Sequence, residues 1–68
     1  SGLGRRLLRE AVDFSRSMDY ERIFLWTVSV LHAAAHLYRE FGFELVESNP
    51  GSMWGVELKE ERYVLILR

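Results

Sequence analysis

The sequence predicts an α+β domain with two helices on a small, mixed but mostly antiparallel sheet. The elements run helix, strand, helix, strand, strand. Three observations predict it. Residues 3–18 set Leu3, Leu7, Leu8, Ala11, Val12, Phe14 and Met18 at helical spacing along one stripe. Residues 22–28 and 62–67 are rich in β-branched and aromatic types. Gly42 and the run Ser48-Asn49-Pro50-Gly51-Ser52 punctuate what lies between.

The first helix opens directly on Gly2-Leu3-Gly4 and fades near Ser17-Met18-Asp19. Arg6 with Glu10, and Arg9 with Asp13, are expected as i,i+4 pairs on its exposed side. The strand at 22–28 is almost continuously apolar, as a strand buried on both faces is. Trp26 is accordingly expected in the core. Ser29 is expected to cap a second helix over residues 30–41. Gly42 suits the left-handed position that ends it. Residues 43–47 alternate apolar and acidic side chains, as a half-exposed strand does. Residues 48–52 are expected as a turn, residues 53–58 as weakly alternating chain, and Lys59-Glu60-Glu61 as a second, charged turn. The final strand, residues 62–67, is expected between those at 22–28 and 43–47, because it and the strand at 22–28 are the most apolar and neither should be left uncovered on its faces.

Composition narrows the function classes. Sixty-eight residues make one domain, and a chain of that size buries only about 60% of its unfolded surface. Hydrophobic residues reach 49%, which excludes a disordered segment. There is no cysteine, hence no disulfide framework and no thiol nucleophile. A net charge of -1 argues against nucleic-acid binding through this segment. No apolar run approaches the roughly 20 residues that span a bilayer. No signal peptide is read at the start, and the default compartment is the cytoplasm.

Two motifs carry the chemistry. Gly2-Leu3-Gly4-Arg5 runs into a helix bearing Leu7-Leu8, which is how a chain offers backbone N–H groups to a phosphate. Some thirty residues on comes Ala33-Ala34-Ala35-His36-Leu37-Tyr38-Arg39-Glu40-Phe41-Gly42-Phe43. Together they resemble the C-terminal half of the GNAT superfamily of N-acetyltransferases. That family's acetyl-CoA motif is Gln/Arg-x-x-Gly-x-Gly/Ala followed by a helix with paired leucines. Gly2, Gly4, Leu7 and Leu8 match it, and its leading Gln/Arg would stand two residues before Ser1. The family's second signature is matched by Ala33, Leu37, Tyr38, Gly42 and Phe43. An Asn common in the family seven residues before the Tyr is Leu31 here. The segment Met53-Trp54-Gly55-Val56-Glu57-Leu58 with Glu61-Arg62-Tyr63 resembles a narrower group, in which a MarR-type DNA-binding domain precedes the acetyltransferase.

The resemblance implies a partial acyl-CoA N-acyltransferase fold. It also implies that this chain is a C-terminal piece, residues 1–68, of a longer domain. The implied cosubstrate is acetyl-CoA and the implied acceptor a primary amine. Gly2, Leu3, Gly4 and Arg5 would hold the pyrophosphate through backbone N–H groups. Arg5 and Arg6 stand where a helix dipole disfavours cations, which a bound phosphate would offset; otherwise they are solvated surface arginines. Tyr38 would contact the coenzyme and protonate the leaving thiolate; its other role is to cap the core. The base and the carbonyl-polarising amide are implied upstream of Ser1. Thr27 and Ser29 are candidates for the acceptor side, or else strand packing and a helix cap. His32 and His36 share a helical face but lack a third ligand, so no metal site is expected. Trp54 suits a substrate-facing or interface position. A non-catalytic acyl-CoA-sensing module of a transcriptional regulator is the alternative function. The strand at 22–28, with no neighbour on its far side, is expected to self-associate or to be locally disordered.

Overall fold

The computed structural model describes residues 2–68 and, at Met53, the backbone only. Helix α1 spans Gly2–Ser17, strand β1 Arg22–Val28, helix α2 His32–Glu40, strand β2 Glu44–Met53 and strand β3 Val56–Ile66. The three strands form one sheet in the order β1-β3-β2, and both pairings are antiparallel. The expected α+β class, element order and central place of the last strand are all present. None of the described helices is long and apolar enough to cross a membrane.

The core is small and one-sided. Val12 of α1, Phe43, and Tyr63 and Leu65 of β3 are buried. Leu8, Ile23, Leu25, Ala35, Tyr38, Phe41 and Leu67 pack around them. In β3 the alternation of side chains sends Tyr63 and Leu65 to the helix-covered face and Val64 and Ile66 to the other. Tyr63 pairs with Leu25 and Leu65 with Ile23, so β1 presents the same face to the helices. The opposite face is open: Phe24 is 51% exposed and Trp26 56%. A strand buried on both faces is therefore not what β1 is here, and Trp26 does not lie in the core. Both rings instead carry the Arg62 guanidinium, at 5.1 Å from Phe24 and 5.9 Å from Trp26.

The hairpin is longer than its composition suggests. The expected turns at residues 48–52 and 59–61 are both strand. The chain reverses at Trp54-Gly55, with Met53 opposite Val56. Both turn residues have positive φ, +56° and +76°, the pattern of a type I′ turn whose twist matches that of the strands. Pro50 is tolerated because β2 is an edge strand, where a missing N–H interrupts no ladder on its outer side. A register shift between Leu45 and Glu47 leaves Val46 as a bulge.

The start of α2 also departs from expectation. Ser29 does not cap it. Its N–H donates to the Lys59 carbonyl, and its Oγ accepts from the Lys59 N–H, each at 2.8 Å. Ser29 thus extends the β1–β3 ladder by one residue, and the helix begins at His32 after Leu31 without a side-chain cap.

The end of α2 is as expected. Gly42 has φ +93° and donates to the Arg39 carbonyl at 3.0 Å. Phe43 then donates to the Tyr38 carbonyl at 3.0 Å. These two bonds make a Schellman motif, with Tyr38 and Phe43 in its characteristic apolar contact, ring centroids 5.9 Å apart. A Cβ at Gly42 would meet only Leu65 at an ordinary 3.5 Å, so the glycine is needed for its φ and not for space. Gly42→Ala should lower stability by about 1–2 kcal/mol, read as a fall in urea midpoint without a change in slope.

Candidate functional site

A groove of about 480 Å³ lies between the two helices. Gly4, Leu7 and Leu8 of α1 form one wall; Ala33, Ala34, Leu37 and Tyr38 of α2 form the other. Those seven residues come from the two motifs found in sequence. The small alanines hold the α2 wall back, and Leu7, 58% exposed, lines the opening.

Gly2, Leu3, Gly4 and Arg5 make up the first turn of α1. The first turn of a helix carries partial positive charge. No acidic residue offsets that charge there. A Cβ at Gly2 would meet nothing within 4 Å among the described residues, so that side of the turn is open to close approach.

Two contacts tie this turn of α1 to the end of α2. The Arg5 guanidinium donates to Glu40 Oε2 at 2.7 Å. One turn on, the Arg9 guanidinium lies 5.4 Å from the centre of the Phe41 ring. Arg9 therefore does not pair with Asp13, and Arg6 does not pair with Glu10; cross-helix partners or solvent take these side chains instead. The Arg5 side chain is likewise directed at a carboxylate. Glu40 also holds His36 Nε2 at 2.9 Å. Its hydrogen bond from Arg5 holds the Glu40 carboxyl below the usual carboxylate range, and partial desolvation works against that.

Tyr38 is half-buried, its ring set between Phe43 at 5.9 Å and Tyr63 at 5.5 Å. The packing fixes the ring while leaving it on the groove wall. Sequence reasoning found Tyr38 but not the Tyr63 ring beneath it. Alternation along residues 62–67 pairs Tyr63 with Leu65 on one face, yet nothing local says that α2 covers that face.

The other candidates lie elsewhere. Thr27 lines a hollow of about 270 Å³ with Trp26, Val28 and Glu60. Ser29, His32 and His36 line a separate, larger cleft on the far side of α2. Trp54 stands at the hairpin tip, 95% exposed.

Residues 1–43, the span holding both motifs, match the acetyltransferase (GNAT) family. The chain belongs to that family. No match appears among curated proteins. Several solved structures are similar over nearly the whole chain. One is yncA of Salmonella typhimurium, solved with its cofactor acetyl-CoA, at 27% identity and a TM-score of 0.90 over 100% of this chain and 40% of that one. The ribosomal-protein-alanine N-acetyltransferase of Brucella melitensis is 26% identical, with a TM-score of 0.87 over 98% of this chain and 43% of its own. An N-acetyltransferase of Staphylococcus aureus shares the fold at a TM-score of 0.92 and 18% identity, over 100% of this chain and 42% of its own. The GNAT chain described here thus spans about two fifths of the length of these structures.

The Arg5–Glu40 pair supplies a test of how the groove is held. The lowered Glu40 value means that this pair adds stability above the ordinary carboxylate range and loses it as pH falls through the lowered value. Side-chain carboxyl NMR should show Glu40 titrating below the usual glutamate value of about 4.3, and Arg5→Gln should move it back upward.

Proposed function

We propose that this chain is the acetyl-CoA-binding part of an N-acetyltransferase acting on a primary amine. One observation carries the reading: the two sequence motifs converge on the walls of a single groove, with the helix start at one end and a packed tyrosine on its wall. In this reading the turn Gly2, Leu3, Gly4 and Arg5 holds the pyrophosphate, backbone first. The apolar walls take the pantetheine arm. The relatives named above support it, one by its bound acetyl-CoA and one by its described activity.

Acetyl transfer forms a C–N bond and breaks a C–S bond. The amine gives up a proton and the thiolate takes one. Tyr38 is the group assigned to the thiolate. Its phenol is a proton donor at neutral pH, and its ring is held by Phe43 and Tyr63. The groove is walled by glycine, leucine, alanine and tyrosine, none of which suits the base. The 68-residue chain alone should therefore give no turnover. The same lack of a base keeps a second reading in play, an acyl-CoA-sensing module in a regulator, which would bind the ligand without consuming it.

Titration of the chain with acetyl-CoA should shift amide resonances at residues 2–8 and 33–38; unmoved resonances there would remove both readings. In a longer protein containing this chain, Tyr38→Phe should lower kcat by about 10²–10⁴-fold with little change in coenzyme affinity. The hydroxyl is assigned to charge that appears only as the thiolate leaves. Equal kcat would return Tyr38 to a packing role, and a parent without turnover would favour the sensor.

The sheet edge suggests a further partner, a second copy of the chain. β1 is an edge strand, so one side of its backbone has no strand neighbour among the described residues. Phe24 and Trp26 stand exposed on the same strand. Such an edge is a template for pairing. Sedimentation should show concentration-dependent association, or amide exchange should be fast across residues 23–28. A strict monomer with slow exchange there would contradict the proposal.

A further inference from the structure

The larger cleft lies between α2 and the outer half of the β2–β3 hairpin, with a volume of about 1100 Å³. His32, His36 and Arg39 face it from α2, while Glu57, Lys59, Glu61 and Tyr63 face it from β3. Two features set it apart from an ordinary solvent-filled hollow. Tyr63 is 0% exposed, yet its hydroxyl has no hydrogen-bond partner among the described residues. A buried hydroxyl left unpaired is costly, and a ligand is one thing that satisfies it. The second feature is charge. Arg39 and Lys59 form no ion pair among the described residues, and neither do Glu57 and Glu61, although all four line one cleft.

The two walls also differ in net charge. The α2 wall carries only basic groups, of which His36 is engaged by Glu40 at 2.9 Å. The β3 floor carries two carboxylates with Lys59 between them, a net negative surface. A simple anion would meet the carboxylates of the floor. A simple amine would meet the basic wall. A ligand bearing both charges answers both surfaces.

We propose that this cleft binds a small zwitterion of the amino-acid class. Its carboxylate is placed toward Arg39 and the Tyr63 hydroxyl, and its ammonium toward Glu61. The site is separate from the helix groove. Tyr38 lines the groove and Tyr63 the cleft, and their rings, tilted against each other with centroids 5.5 Å apart, stand between the two. The proposal therefore does not depend on what the groove binds.

The test is amide NMR of the chain, titrated with the common L-amino acids one at a time. At least one should give saturable shifts centred on Ser29, Arg39, Lys59 and Glu61. Its N-acetyl form and its carboxamide, each lacking one charge, should bind at least about tenfold more weakly. Arg39→Gln and Glu61→Gln should weaken binding to a similar degree, with spectra otherwise unchanged. Tyr63→Phe keeps the ring and removes only the hydroxyl, so it should weaken binding without unfolding the chain. No saturable binding to any amino acid overturns the proposal. So does equal affinity for the blocked forms, or in all three variants.

Discussion

The Tyr63 ring is the contact on which the rest of this structure depends. Among the described residues it is the one large side chain with no exposure, it sits on the central strand, and Tyr38 of α2 packs against it. Tyr38 in turn meets Phe43 across the Schellman turn that ends α2. Three aromatic rings, tilted against one another, thus join helix, cap and sheet in one cluster. The helix cannot shift along the sheet without opening that cluster, so the position of Tyr38 on the groove wall follows from core packing.

The groove exists because the two helices are held together at one end and kept apart along their length. Arg5–Glu40 and Arg9–Phe41 supply the tie, the latter from an arginine that could have paired with Asp13 in its own helix. The exposed ion pair is weak in energy, as such pairs are. Its effect is geometric: it sets the start of α1 beside the end of α2, with glycine and alanine lining the space between. An apolar groove beginning at a helix N-terminus suits a long ligand with an anionic end, which is the shape of the coenzyme proposed for it.

The sheet has two unlike faces. One carries the core; the other leaves Phe24, Trp26 and Ile66 more than half exposed. The solved relatives are more than twice as long as this chain, and their likeness to it extends over all or nearly all of its length. Arg62 covers part of the open face by lying over Phe24 and Trp26, with Glu47 as its ion-pair partner at 3.3 Å. A cation over two rings shields apolar surface while remaining in contact with water.

The sequence alone determined the element order, the central position of β3, the left-handed cap at Gly42 and the residues that meet in the groove. The element order and the cap rest on short-range rules: helical spacing, β-forming composition and the φ freedom of glycine. The groove residues were reached through the resemblance of their two motifs to a family, and the place of β3 through an argument about covering apolar strands. The hairpin was decided otherwise. Asn49-Pro50-Gly51 has every local mark of a turn, yet cross-strand pairing with residues 58–60 holds it extended, and the reversal falls at Trp54-Gly55. Ser29 followed the same logic, since a ladder partner at Lys59 took the groups that a helix cap would have used. Trp26 lay beyond local reading because an apolar strand does not say how many of its faces will be covered. Register and coverage come from partners distant in sequence, and only the tertiary structure supplies them.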